Sequence, residues 1–390
     1  MPIPYLVTLF TFIDGLAQGI YGTIFNLLLR SSGLSTSAVG RITSFSLWGI
    51  AFFGLIFGLL ADRFDKKQLR VFTHLLSVFF GTYRILVTSV HQLAIMSLLF
   101  GGFSSATSVI LSTLLILKTD ARNRSKHLGM NFGIGMFTGV LGNVFGGVFG
   151  DLFGLRPVLI VSSLSRLIAI YPILKMKASE LMVKRESNEG ILRFFSIVRN
   201  MDYRMRKIVV YYFLSTISVG FGAGLFVSFG NVIFYDIFHM KPAIIGSILA
   251  SAQLATSLGA MFSHKLGKKF GDMNVLIFSY VVVPILIVML SFVREPITFT
   301  SVYILRFAVM NMVSPLLTAT VFSSIDVVYL SSINGMNVFF NNVSRAFSAE
   351  LFAYFTRFNS GYTLIFAVSS VFYFVNAYVM IRMYKHIRES

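Results

Sequence analysis

Long apolar runs, separated by short polar breaks, dominate the chain. A helix of roughly 20 apolar residues crosses a hydrocarbon core about 30 Å thick, and the sequence divides into twelve runs of this kind. Lipid leaves backbone N–H and C=O groups without partners outside a helix or a closed barrel, and the runs lack the alternation of barrel strands. The pattern predicts twelve transmembrane helices, at residues 5–29, 38–61, 70–89, 92–117, 127–150, 156–175, 208–234, 243–263, 272–292, 297–320, 332–356 and 361–383.

The composition supports an all-α membrane protein. Hydrophobic residues make up 56% of the 390 positions and charged residues 12%, and the mean hydropathy is +0.79. No soluble domain could bury that much apolar surface. The stretch that begins at Met1 lacks a basic segment and a cleavage site, so we interpret it as the first span and not as a signal peptide.

The sequence offers no catalytic or metal-binding pattern. It has no Cys, which excludes disulfides, thiolate metal ligands and Cys nucleophiles. It contains no GKS or GKT phosphate loop, no HExxH and no GxSxG, and its six His residues show no ligand spacing. We therefore expect neither an enzyme nor a bound metal or cofactor.

Positive charge falls on one side of the predicted membrane. A net charge of +18 would suit a nucleic-acid-binding protein if it covered a soluble surface. With the N-terminus in the cytoplasm, 23 of the 33 Lys and Arg residues instead lie on the cytoplasmic face, as the positive-inside rule requires. We therefore expect a monomeric, multi-pass protein of the cytoplasmic membrane, surrounded by lipid, with both termini in the cytoplasm and no nucleic-acid partner.

A long polar segment separates two groups of six spans. Residues 176–207 form a predicted cytoplasmic linker between an N-terminal bundle, residues 1–175, and a C-terminal bundle, residues 208–390. Within the linker, residues 190–207 mix apolar and basic positions. This pattern fits an amphipathic helix at the inner membrane surface as well as a solvated connector.

The two halves of the chain repeat. KLGKK at 265–269 follows RFDKK at 63–67 by 202 positions, and INGMNVF at 333–339 follows HLGMNFG at 127–133 by 206. Both matches hold the same place relative to the predicted spans. They predict six plus six helices with parallel internal symmetry.

The loop after the second span carries the most specific motif, GLLADRFDKK. Its informative positions are Gly58, Asp62, Arg63, Asp65, Lys66 and Lys67. It resembles the motif that the major facilitator superfamily carries between its second and third spans. The resemblance implies a secondary transporter of two pseudo-symmetric six-helix bundles, in which Gly58 permits close helix approach and Asp62 meets the N-terminal dipole of span eleven as a cytoplasmic latch.

The motif departs from the family pattern at two positions. Asp65 stands where the family has Gly, although Asp tolerates left-handed backbone better than most residues. In the second copy, His264 replaces the acid. We expect an asymmetric latch carried by the first copy, with Lys66 and Lys67 serving either the gate or topology alone.

Span five contains closely spaced glycines, Gly139, Gly142, Gly146 and Gly147. Its GNVFGG resembles the Gly-rich motif of drug:proton antiporters, with Asn143 in place of Pro. Small residues at helical spacing also serve close helix packing without any such role. The Arg that those antiporters carry in span four is absent here, since Ser97 and Leu98 occupy that place.

Ionisable residues within spans are the best site candidates, because each costs roughly 2.5 to 3.5 kcal/mol in lipid on insertion scales. Asp14 lies near the middle of span one, with Gln18 and Tyr21 on the same face. Arg306 lies in span ten, followed by Asn311 and Pro315. The superfamily lines its cavity with spans one, four, seven and ten, so Asp14 and Arg306 are expected to face each other across the halves. Alternatively, Asp14 forms a buried ion pair with Arg306 or Arg345.

Four more charged residues lie within spans. Arg345 is accompanied by Asn341 and Asn342 in span eleven, which favours a cavity contact, and Glu350 lies nearer the outer end of that span. Arg84 and Arg166 belong to spans three and six. Those spans are peripheral in the superfamily, so we expect these two arginines to be structural or interfacial.

These residues predict a secondary transporter for a small organic solute. Asp14, or Glu350, would carry a proton while the substrate engages Arg306 and Arg345. The glycine motif and the aromatic interior favour proton-coupled efflux of an amphipathic compound. The arginines leave open a symporter or uniporter for an organic anion, a sugar or a lipid-like solute, and a transporter-like receptor without transport would keep the same fold.

Overall fold

The computed structural model describes residues 2–60, 66–117, 119, 121–176, 201–312, 317, 321 and 327–388. Within these residues all regular structure is helical. The helices are α1 (Ile3–Ser31), α2 (Thr36–Leu60), α3 (Lys66–Leu86), α4 (Val90–Leu117), α5 (Ala121–Phe153), α6 (Leu155–Ser165), α7 (Ile170–Leu174), α8 (Tyr203–Gly224), α9 (Gly230–Phe238), α10 (Pro242–Phe270), α11 (Asp272–Phe292), α12 (Pro296–Met312), α13 (Val327–Phe355) and α14 (Gly361–Arg388).

Where the structure describes them, the predicted spans each coincide with one helix or one interrupted helix. A 3₁₀ turn at Arg166–Ala169 joins α6 to α7, and another at Val227–Phe229 precedes α9. By length and composition, nine helical segments of the described part of the chain could cross a membrane. The predicted linker, residues 176–207, lies outside the described residues except at its two ends.

Contacts divide the chain into two compact units. The first unit comprises Met1–Glu186 and Phe229–Ser251, and the second comprises Ser187–Ser228 and Ala252–Ser390. The proposed bundle boundaries remain a prediction. Residues 229–251 belong to the first unit through contacts such as the ion pair of 2.9 Å between Arg30 on α1 and Asp236 on α9.

Close helix packing in both units depends on glycine. In the first unit, a Cβ on Gly142 of α5 would lie 2.6 Å from the Cα of Gly19 on α1. In the second unit, a Cβ on Gly220 of α8 would lie 2.7 Å from the Cβ of Ser344 on α13. Both distances are too short for a real Cβ, so these helix pairs approach as closely as their backbones allow.

Equivalent hydrogen bonds relate the two units. Thr11 donates to the Asn131 side chain at 2.7 Å, and Thr216 donates to the Asn337 side chain. Asn131 and Asn337 occupy the same place in the repeated GMN sequence. The internal symmetry predicted from that repeat is therefore present in the side-chain contacts.

A second pair of contacts reveals a repeat that the sequence analysis missed. Ser162 donates to the carbonyl oxygen of Ala17 at 2.8 Å, and Ser369 donates to that of Gly222 at 2.7 Å. Each serine lies in a VSS sequence, at 161–163 and at 368–370. The same helix register therefore recurs between α6 and α1 and between α14 and α8.

The helix that carries Arg306 begins at a side-chain cap. The carboxylate of Glu295, just before α12, accepts hydrogen bonds from the backbone N–H groups of Ile297 at 3.0 Å and Thr298 at 2.5 Å. Hydrogen bonds from Thr298 and Ile297 to the ionised carboxylate lower the pKa of Glu295 below its ordinary value. The start of α12 is thus fixed by an exposed acid.

Candidate functional site

Asp14 forms a buried ion pair within the first unit. Its carboxylate lies 2.7 Å from Nε of Arg166, and the two side chains are 6% and 1% exposed. Gln18, one turn later on α1, donates to the other carboxylate oxygen at 2.5 Å. Gln18 is exposed, whereas Asp14 is buried.

The partner of Asp14 in the first unit is Arg166, to which the sequence analysis assigned a structural or interfacial role. The hydrogen bond from Ser162 to Ala17 fixes the register of span six against α1. Arg166 follows Ser162 by one helical turn, and Asp14 precedes Ala17 by about one turn, so antiparallel packing brings the two charges together. The ion pair is thus set by neighbouring helices of one unit.

One face of α3 completes this cluster. Arg70, His74, Ser77, Gly81 and Arg84 recur at helical spacing along it. Ser77 accepts a hydrogen bond from Nη2 of Arg166 at 3.0 Å, and Nε2 of His74 lies 2.8 Å from the Arg166 carbonyl oxygen. That oxygen can only accept, so Nε2 of His74 carries the proton.

Arg70 is the least satisfied charge of the cluster. Its side chain is fully buried, and none of its three guanidinium nitrogens has a hydrogen-bond partner among the described residues. Its guanidinium carbon lies 4.3 Å from the centre of the Phe10 ring, and Asp14 is close enough to interact with it electrostatically. Arg70 therefore depends on a cation–π contact and on a carboxylate already bound to Arg166.

Tyr21, predicted as a site residue, is a hydrogen-bond partner of Arg84. Nε of Arg84 donates to the Tyr21 hydroxyl at 2.7 Å, and that hydroxyl donates to the Gly81 carbonyl oxygen at 2.8 Å. Arg84 also lies over the rings of Tyr21, Phe25 and Phe100, at 4.7, 4.0 and 3.8 Å from their centres. Its guanidinium group is thus held rigidly inside the first unit.

Arg306 is a buried charge of the second unit. It is 2% exposed, and Nη2 donates to the hydroxyl of Tyr373 on α14. Rings of Phe226, Phe307 and Tyr373 surround the guanidinium carbon at 4.7, 4.9 and 5.1 Å. Its Nε has no hydrogen-bond partner.

Arg345 on α13 belongs to the same group. Its Nε is buried without a partner, and Arg306 and Tyr373 are close enough to interact with it electrostatically. Across the described residues, the carboxylates that form ion pairs do so with Arg30 and Arg166, so neither Arg306 nor Arg345 has an acidic partner there. The second unit thus brings two cations and a phenol together.

The other predicted site residues lie apart from these charges or serve their own helix. Asn311 donates to Thr256 on α10 at 3.2 Å and to the Phe307 carbonyl oxygen at 3.0 Å. Asn342 donates to the carbonyl oxygen of Val338 in its own helix at 2.9 Å. Asn341 and Glu350 are half-buried on α13, and Pro315 lies outside the described residues.

Most of the gate motif cannot be placed. Gly58, Asp62, Arg63, Asp65 and Lys66 lie outside the residues whose side chains the structure describes. Lys67 donates to the carbonyl oxygens of Leu174 at 2.8 Å and Met176 at 2.7 Å. It therefore puts a positive charge at the C-terminal end of α7, where helix carbonyls favour one.

The glycines of span five pack against two helices. Gly139 and Gly142 face Gly19 of α1, and a Cβ on Gly146 would lie 2.9 Å from the Ile20 carbonyl oxygen. A Cβ on Gly147 would lie 2.5 Å from the carbonyl oxygen of Pro242 at the start of α10. Close packing accounts for all four positions.

The sequence contained two signals for site residues to which the sequence analysis gave too little weight. The helical spacing of polar positions from Arg70 to Arg84 was visible in the α3 sequence, and Tyr373 stands in the VSS repeat at the place of Arg166. The aromatic partners of Arg306 carried no signal, because Phe occurs 42 times in the chain. In the described ranges, no group of three or more His, Asp or Glu side chains could hold a metal ion.

Comparison with known proteins identifies the family. The family model of the Major Facilitator Superfamily matches residues 7–349. The 4-hydroxybenzoate transporter PcaK of Pseudomonas aeruginosa is 27% identical over 278 residues, which span 67% of this chain and 62% of that transporter.

Solved structures share the fold. The nucleoside transporter NupG superposes with a TM-score of 0.76 at 14% identity, over 99% of this chain and 100% of that one. A bacterial homologue of the human lysosomal transporter Spinster, inward-facing and occupied, gives 0.77 at 11% identity, over 98% and 96%. The chain therefore belongs to the Major Facilitator Superfamily and has its fold of twelve transmembrane helices in two pseudo-symmetric six-helix bundles.

Proposed function

We propose that this chain is a proton-coupled transporter of organic anions that works by alternating access. Arg306 and Arg345 bind the anionic group, and Asp14 exchanges the coupling proton. The proposal depends on one observation, the buried positive charge of two arginines in the second unit. Arg306 and the Nε of Arg345 are buried there, and no described carboxylate forms an ion pair with either side chain.

An uncompensated guanidinium group is costly in a dry interior. Arginine does not lose its proton in proteins, so burial cannot neutralise it. The remaining way to satisfy Arg306 is a negative charge from outside the described chain. A substrate carboxylate fits this need, because its two oxygens match the paired donors of a guanidinium group.

The surroundings of Arg306 favour an anion with a ring. Phe226, Phe307 and Tyr373 offer aromatic surface within about 5 Å of the charge, where the body of an aromatic acid can pack. The related transporters are named for 4-hydroxybenzoate and for nucleosides, and the former is an aromatic carboxylate. We therefore prefer an organic anion to the amphipathic compound that the sequence analysis favoured.

We assign the coupling proton to Asp14 because its ion pair with Arg166 can form only while the carboxylate is deprotonated. Protonation of Asp14 would break the ion pair of 2.7 Å and leave Arg166 buried without a countercharge. The first unit would then favour a different arrangement of helices α1, α3 and α6. Proton binding at Asp14 can thereby be coupled to a change of conformation.

The structure weakens the reason for preferring efflux. The glycines that resembled the antiporter motif are accounted for by packing of α5 against α1 and α10. They therefore support neither export nor import. A receptor without transport keeps every contact described above and differs only in the absence of flux.

Binding selectivity tests the proposal. We expect 4-hydroxybenzoate to raise the unfolding temperature of the purified protein and the matched amide, 4-hydroxybenzamide, to bind about tenfold more weakly or worse, since a hydrogen bond to a charged group contributes roughly 1.5–3 kcal/mol. Arg306→Gln should abolish the difference between acid and amide. Arg382→Gln is the matched control, because exposed Arg382 also donates to a tyrosine, Tyr378.

The contrary result is equally clear. If acid and amide bind alike, or if a nucleoside or an amphipathic cation binds and Arg306→Gln leaves its affinity unchanged, the second unit does not select organic anions.

A further inference from the structure

A cavity of about 170 Å³ opens in the first unit, apart from the Asp14 ion pair. The ends of α1 and α3 and the start of α6 enclose it. Its walls include Leu28, Leu29, Ser32, Arg84, Thr88 and Arg156. Two arginines from different helices therefore share one small cavity, and no acidic side chain lines it.

Hydrogen bonds hold Arg84 in a fixed position at this cavity. It is 5% exposed, and its Nε and Nη1 are fixed by the Tyr21 hydroxyl at 2.7 Å and Ser97 Oγ at 3.3 Å. No described residue accepts a hydrogen bond from its remaining nitrogen, Nη2, and none forms an ion pair with it. Among the described residues, this firmly positioned buried cation therefore has no partner for Nη2 and no countercharge.

Arg156 supplies the second charge. It is exposed at the start of α6, so its side chain can turn towards the cavity without loss of a buried contact. Two guanidinium groups from different helices bind an anion that has several oxygens better than an anion that has a single charged atom. Ser32 and Thr88 add hydroxyl groups that can donate to the same anion.

The rest of the wall is apolar. Leu28 and Leu29 border the charged part of the cavity, which suits a ligand with a hydrocarbon portion next to its anionic group. A phosphate group combines several oxygens with more than one negative charge. It can come from the head group of a membrane lipid or from free phosphate.

We propose that this cavity is a binding site for a phosphate group, held between Arg84 and Arg156. The site is separate from the substrate contacts assigned to Arg306 and Arg345. It gives Arg84 the countercharge that the described chain does not provide.

The test uses the purified full-length chain in detergent micelles, with three probes: phosphatidic acid, diacylglycerol as its phosphate-free counterpart, and inorganic phosphate. Thermal unfolding and native mass spectrometry report binding. We expect phosphatidic acid, inorganic phosphate or both to raise the unfolding temperature, whereas diacylglycerol does not. Stabilisation by phosphatidic acid alone identifies a lipid head group, and stabilisation by inorganic phosphate identifies a free anion.

Arg156→Gln is the decisive variant, because Arg156 is exposed and its replacement leaves the core intact. It should weaken phosphate binding about tenfold. Arg41→Gln, at an exposed arginine of α2 outside the cavity, should not. The proposal is overturned if diacylglycerol stabilises as well as phosphatidic acid, if neither phosphate probe binds, or if the two variants behave alike.

Discussion

At the scale of single residues, two arginines near the carboxylate of Asp14 differ in their hydrogen-bond partners. Arg166 is bound to Asp14, Ser77 and, through its carbonyl oxygen, His74. Arg70 is equally buried and has no hydrogen-bond partner for any guanidinium nitrogen. Breaking a buried ion pair is strongly destabilising, whereas replacing an unsatisfied buried charge by a side chain of similar volume is neutral or stabilising.

This contrast predicts opposite effects of one substitution. Arg166→Met should lower the free energy of unfolding by about 3–5 kcal/mol, because it leaves Asp14 charged and unpaired. Arg70→Met should leave it unchanged or raise it by roughly 1 kcal/mol or more. Thermal or denaturant unfolding of the two purified variants measures the difference. Equal destabilisation by both would show that Arg70 has a partner as essential as that of Arg166.

The cost of charge in lipid pointed to Asp14 and Arg306 from the sequence, and both are buried. Their partners were harder to foresee. Arg166 was assigned a peripheral role because span six is peripheral in the family, yet the register set by Ser162 brings it to Asp14. Such a contact depends on which helices are neighbours, which residue spacing within one helix does not reveal.

At the scale of helices, hydropathy located the spans to within a few residues, and α11 begins and ends where it was predicted. The 3₁₀ turn at Arg166–Ala169 was not predicted, although the sequence held its cause. Pro172 has no N–H to give the carbonyl group four residues earlier, and this loosens the preceding turn. The turn carries Arg166, so a local backbone defect positions a functional candidate.

Glycine packing between α1 and α5 gives the next prediction. A leucine side chain at Gly142 would collide with the backbone of Gly19, where a Cβ alone would come within 2.6 Å of Cα. Gly142→Leu should therefore separate the helices and lower the unfolding temperature markedly. Gly133→Leu, on the same helix, is the control because a Cβ there meets no atom within 4 Å.

Unfolding in detergent compares the two variants. Gly133→Leu removes a flexible helical glycine and should be neutral or slightly stabilising. If Gly142→Leu were as stable as Gly133→Leu, the close approach of α1 and α5 would be wrong.

At the scale of the whole molecule, the two units share a repeated set of hydrogen bonds and differ in their charged residues. The Thr–Asn bonds and the VSS serines recur in both. The first unit pairs its acid with an arginine, whereas the corresponding region of the second unit has Tyr373 and two arginines without a described acidic partner. The sequence repeats predicted the framework, and the family resemblance predicted the superfamily.

The substrate could not be predicted from the sequence, because it depends on side chains from several helices. Only the structure brings Phe226 of the 3₁₀-linked span, Arg306 of α12 and Tyr373 of α14 together. From this group comes the preference for an aromatic anion over the amphipathic compound. The coupling role that we propose for Asp14 depends on its ion pair with Arg166.

Flux into proteoliposomes tests the central claim most directly. The measurement is accumulation of labelled 4-hydroxybenzoate with and without an imposed pH gradient, for the wild-type protein, Asp14→Asn, Arg306→Gln and the control Arg382→Gln. We predict gradient-driven accumulation by the wild type and the control, loss of the response to pH in Asp14→Asn, and loss of carboxylate flux in Arg306→Gln. Carboxylate flux that ignores the gradient, or that survives in both Asp14→Asn and Arg306→Gln, would contradict the account.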